Sequence, residues 1–162
     1  MARTAVDLEL EAARQPEAAP KACTFICSRD TLDGAYPALI LAVNARRQGM
    51  EATVFYTFMG LNLLRKNWLN KVKFKPLGVM GAIPGMSTMA TMMMKGKIEK
   101  AGIPDLGDLM DMAQAEGVRL VACKMTVDMM ELSEDDFIDG VEIMTAEDYL
   151  KIASNCHINM FT

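Results

Sequence analysis

Short apolar runs alternate with helical stretches along almost the whole chain, and this alternation limits the folds open to it. Strands are expected over Ala22–Cys27, Ala52–Phe58, Leu77–Met80, Val118–Cys123 and Val141–Met144. Helices are expected over Gly34–Gln48, Ser87–Lys100, Leu106–Glu116 and Ala146–Ala153, with a short helix or turn at Gly60–Leu64 and an edge strand at Ile158–Phe161. Pro37 falls in the first turn of its helix, Gly49 and Gly117 are stop signals, and Thr145 is a cap. Ser133 with Asp136 three residues on has the form of a capping box. Strands that alternate with helices form a parallel sheet covered on both faces. The predicted fold is therefore α/β, with a mainly parallel sheet of five or six strands.

A chain of 162 residues suits one domain, here residues 21–162, and 51% hydrophobic residues suffice for its core. Residues 1–20 are rich in Ala and Glu and read as a loose arm, without the basic start and apolar stretch of an export signal. No apolar run reaches the length of a membrane span. A net charge of −4 argues against generic nucleic-acid binding. With no export signal, the four cysteines point to a reducing cytoplasm rather than a disulfide framework. There is no C-x-x-C pair and only one histidine, His157, so no metal and no hydrolytic triad is expected.

The chemistry concentrates at strand ends, where open α/β sheets place their sites. The run Val118–Ala122 delivers Cys123 to a carboxyl end. A turn is expected next, and then a helix capped by the hydroxyl of Thr126. Lys124 and that helix start both favour thiolate, the nucleophilic form. The competing reading makes Cys123 a small, inert core residue. Cys27, beside Arg29 at the end of the first strand, is a second candidate thiol facing the same crevice. Cys156 beside His157 is a weaker one, since adjacent residues seldom present their side chains to each other. In the loop Ser28–Asp33, Ser28 and Thr31 suit a phosphate but Asp30 and Asp33 repel one, so helix capping by Asp30, Thr31 or Asp33 is the better reading. No nucleotide-binding glycine motif is present, and no cofactor is expected.

Charge is segregated. Residues 71–100 hold six lysines and one acid, and residues 131–148 hold eight acids and no base. These are solvated faces, or patches that pair between subunits or with a partner. Met86, Met89 and Met93 share one helical face, and with Met80, Met92 and Met94 they suit a core or subunit contact better than Cu(I).

Four pieces of the sequence resemble the DsrE/DsrF/DsrH-like family, in its longer stand-alone subgroup. Ser28-Arg29-Asp30 stands where the family has Ser-x-Asp. Phe55-Tyr56-Thr57-Phe58-Met59-Gly60-Leu61 is similar to its Phe-Phe-x-Phe-x-Gly-Leu run. Ala122-Cys123-Lys124-Met125-Thr126-Val127-Asp128 is similar to its Ala-Cys-x-Met-Ser-Met-Asp segment, and Asp139-Gly140-Val141-Glu142 leads into a helix and an apolar tail as in the family. The resemblance spans roughly Lys21 to Phe161. It implies a flavodoxin-like three-layer sandwich, frequent homo-oligomers and a sulfur-relay or sulfurtransferase role, with donor and acceptor proteins or small thiols as partners. By this match Cys123 carries the persulfide; Lys124 stabilises the anion, Cys27 or Cys156 is the candidate helper thiol, and Ser28, Asp30, Thr126 and Asp128 are the candidate substrate-site residues. Two departures stand out. The small relay subunits carry their acceptor cysteine after the middle strand, where this chain has methionines. Glu131 and Met144-Thr145 replace glycines common in the subgroup. A second reading, from a different class, is a non-catalytic oligomeric adaptor that docks through the Met-rich basic helix and the acidic C-terminal third.

Overall fold

The computed structural model describes residues 21–76 and 85–162. The expected arm over residues 1–20 and the expected strand Leu77–Met80 lie outside them.

Five strands form one all-parallel sheet: β1 (Ala22–Cys27), β2 (Glu51–Tyr56), β3 (Arg119–Cys123), β4 (Val141–Met144) and β5 (Ile158–Phe161). Their order is β4-β3-β2-β1-β5. The helices are α1 (Leu32–Arg47), α2 (Met86–Lys100), α3 (Leu106–Ala115), α4 (Lys124–Met129) and α5 (Ala146–Ala153). Helical 3-10 turns cover Phe58–Leu64, Leu69–Lys71 and Glu134–Asp136, the last closed by the expected Ser133–Asp136 capping box. Thr145 caps α5 by accepting from the Asp148 N–H at 3.1 Å.

Connection direction decides which face each helix covers. From β1 to β4 every step moves one strand the same way, and right-handed crossovers then put the intervening helices on one face. The step from β4 to β5 runs back past three strands, so α5 lies on the other face. The packing agrees. Leu39, Ala42 and Val43 of α1 and Leu109, Met110 and Ala113 of α3 form one core with Phe25, Cys27, Val54, Tyr56, Leu120 and Ala122. The opposite face carries a smaller cluster of Phe55, Val121, Cys123 and Tyr149.

Several expectations shift. α1 starts two residues earlier than its pattern indicated, because the Leu32 N–H is taken by the Lys73 carbonyl and the Thr31 carbonyl accepts from Gly34 and Ala35. Pro37 therefore lies inside the helix rather than in its first turn. None of the expected caps forms a capping bond there. Thr31 occupies the N-cap, but its hydroxyl is buried without a hydrogen-bond partner. β2 ends at Tyr56, since Phe58 turns to a φ of 46° and opens a 3-10 turn. In α2, Met94 packs on the core, whereas Met89, Met92 and Met93 are exposed.

Candidate functional site

The chain leaves β3 and β4 towards opposite faces. After β3 it enters α4, whose Val127 joins the larger core; after β4 it enters α5 on the other side. Neighbouring strands whose connections diverge in this way make a switch point, and crevices at strand carboxyl ends form there. Cys123 and Met144, the last residues of β3 and β4, are register partners and flank this point.

Cys123 is 2% exposed. It is the N-cap residue of α4 in extended conformation, and its thiol makes no capping hydrogen bond. The helix begins at once at Lys124, so the expected turn is absent and Thr126 is not its cap. Thr126 is itself buried. Its hydroxyl accepts the Phe58 N–H at 3.2 Å and lies 3.2 Å from the Thr57 hydroxyl. These contacts bind the loop after β2 to the first turn after Cys123.

That loop also crosses the end of β1 closely. The Thr57 N–H donates to the Cys27 carbonyl at 3.0 Å, and the Gly60 N–H to the Ser28 carbonyl at 3.0 Å. A Cβ on Gly60 would lie 2.2 Å from the Cys27 carbonyl oxygen, so only glycine fits. Phe58 takes its left-handed backbone without a glycine's freedom, a strain that its bond to Thr126 helps to hold.

The remaining candidates sit apart from Cys123. Lys124 is paired with Asp128 at 2.5 Å, one helical turn away on the surface, so its ammonium is directed to a carboxylate rather than reserved for the thiol. Cys27 lies opposite Tyr56, which lies opposite Ala122; these three share the α1 face, and by strand alternation Cys123 points the other way. The two thiols do not face one crevice. Burial pushes the Cys27 thiol up to about 11, against the lowering effect of the Arg29 N–H and the Thr162 hydroxyl. Ser28 donates from its N–H and hydroxyl to the Thr162 carbonyl. Asp30 accepts from Asn62 at 3.1 Å and pairs with Lys75 at 3.5 Å, ties that belong to the β1 end. Burial, with Cys156 nearby, pushes Cys23 to about 11, and burial followed by Glu51 raises Cys156. All four cysteines are free thiols, and among the described residues no cluster of side chains suits a metal ion.

Two contributors escaped the sequence reading. Thr57 had a signal in its place in the Phe-x-Gly run. Tyr149 had none beyond an aromatic residue in an amphipathic helix. Its ring stacks on Phe55 with centroids 4.2 Å apart, and its hydroxyl accepts from Thr24 at 2.9 Å.

A model of the DsrE/DsrF/DrsH-like family matches residues 19–161. The chain belongs to this family. Among DsrE-like relatives it is 36% identical over 157 residues to the sulfur carrier protein DsrE2 of Allochromatium vinosum, a match spanning 87% of this chain and 98% of that protein. It is 34% identical over 154 residues to the uncharacterised YrkE protein of Bacillus subtilis, across 87% of this chain and 96% of that one. The fold is similar to that of the E. coli ychN protein, with a TM-score of 0.59 at 14% identity over 88% of this chain and 99% of that one. It is also similar to MTH1491 of Methanobacterium thermoautotrophicum, at 0.51 and 13% identity over 86% of this chain and 98% of that one.

Proposed function

We propose that this DsrE-like protein is a sulfur carrier that holds sulfane sulfur as a persulfide on Cys123. The observation that carries the reading is the position of Cys123 at the switch point between β3 and β4. The relative named as a sulfur carrier supports the same role. The Cys123 thiolate attacks the outer sulfur of a donor persulfide. One S–S bond forms at Sγ, the donor's S–S bond breaks, and the donor leaves as a thiolate. An acceptor thiolate repeats the exchange, so the cycle needs no net oxidant or reductant.

Thr57, Thr126 and the Lys124–Asp128 pair are positioning residues that fix the start of α4 beside the thiol. Ser28, Asp30 and Cys27 shape the end of β1, two strands from Cys123, without reaching the thiol. Donor and acceptor are thiol-bearing proteins or small thiols. Four free cysteines favour a reducing compartment, and we assign the protein to the cytoplasm. Self-association belongs to the reading, and the exposed edge strand β5 supports it.

Cyanide takes the outer sulfur of a persulfide as thiocyanate, which gives a direct test. Protein loaded with a small-molecule persulfide and desalted is expected to release thiocyanate, and Cys123→Ser to release none. Equal release from the two proteins would remove Cys123 from the role.

A further inference from the structure

A carrier thiol must meet its donor, yet Cys123 is 2% exposed. We propose that α5 is a movable cover over Cys123, which opens to admit a thiol-bearing donor or acceptor and closes over the loaded sulfur. The inference rests on Cys123 as the sulfur-bearing residue for its purpose, though not for its geometry.

Most of the surroundings of Cys123 cannot move. Ile26, Phe55, Val121 and Met144 belong to strands bonded into the parallel ladder, and shifting them would break the sheet. The remaining members of the cluster, Tyr149 and Ala153, come from α5, the one helix on this face among the described residues. α5 has eight residues, too few to be a stable helix alone. Only Tyr149 is buried, and Leu150 on the next position is 63% exposed.

Its attachment is correspondingly small. The Phe55–Tyr149 stack and the Thr24–Tyr149 hydrogen bond are its side-chain anchors. Together such contacts shift a closed–open equilibrium by on the order of a hundredfold. The helix's other supports are internal: the Thr145 cap and the pairs of Lys151 with Glu147 and Asp148. These bonds join residues within the segment, so they do not hold α5 to the sheet. At its far end the chain is tied to the sheet, where the His157 N–H donates to the Ala22 carbonyl at 2.8 Å. Thr145 and the turn at residues 154–156 are the places where a hinge would act.

The test is the rate of iodoacetamide labelling at each cysteine of the reduced full chain, read by mass spectrometry of its peptides. Cys27 is the internal reference, since it is buried on the opposite face and reports loosening of the whole fold. Thr24→Val removes only the hydrogen bond and is expected to raise the Cys123 rate on the order of fivefold. Tyr149→Ala removes both anchors and is expected to raise it on the order of fiftyfold or more. In both, the Cys27 rate should hold. An unchanged ratio of Cys123 to Cys27 labelling in Thr24→Val would overturn the cover, even where Tyr149→Ala loosens the entire fold. Labelling reads access and not sulfur transfer. A cover that opens over a thiol that never takes sulfur would leave this inference standing and sink the carrier reading.

Discussion

At the residue scale, Cys27 and Cys123 both end strands but differ in parity. Cys27 turns into the larger core against α1, where its thiol lies 3.5 Å from the Gly34 carbonyl. Its pKa rises from 9.0 to about 11, chiefly through burial. The folded state then keeps a proton across a range in which the unfolded chain has lost it. Stability from this group is complete below about pH 9 and declines as pH rises through about 11. A shift of that size corresponds to about 2–3 kcal/mol. Cys27→Ala should flatten that part of the alkaline decline, which urea midpoints at about pH 8 and about pH 10.5 would show. A decline of the same steepness in both proteins would place the titrating group elsewhere. The parity itself was hidden in the sequence. It follows from the register Cys27–Tyr56–Ala122, and pairings between strands so far apart in the chain leave no local trace.

At the element scale, the loop after β2 does the positioning. Thr57, Phe58 and Gly60 tie the ends of β1 and β2 to the start of α4. Gly60→Ala pushes a methyl group into the Cys27 carbonyl, which is backbone within a paired strand and has little room to give. A loss of about 3 kcal/mol is expected, measured by urea unfolding. A change below about 0.5 kcal/mol would show that the loop does not hold this close crossing. Strands, helices and the Ser133–Asp136 capping box were legible because each leaves a local period or spacing. The role of Thr126 was not. A hydroxyl three residues past a strand reads as a cap, and its true partner, Thr57, lies 69 residues away. The Lys124–Asp128 pair, one helical turn apart, was legible in the spacing but not weighed there.

At the scale of the whole molecule, connection order sets the chemistry. One reversal, from β4 to β5, puts a single short helix on one face among the described residues and creates the switch point at Cys123. The larger core gives the sheet its rigidity, and the thinner layer over Cys123 is where access can be regulated. Alternating strands and helices announced the parallel sheet, and the cysteine segment pointed to its end. The uneven covering of the two faces was not legible, because it depends on strand order. The measurement that bears most directly on the account is the location of the sulfur. Reduced full-length protein is treated with a persulfide donor, its remaining thiols are blocked, and its peptides are mapped by mass spectrometry. The account predicts one added sulfur on the peptide containing Cys123. Sulfur on the Cys156 or Cys27 peptide, with Cys123 recovered as a blocked free thiol, would contradict it.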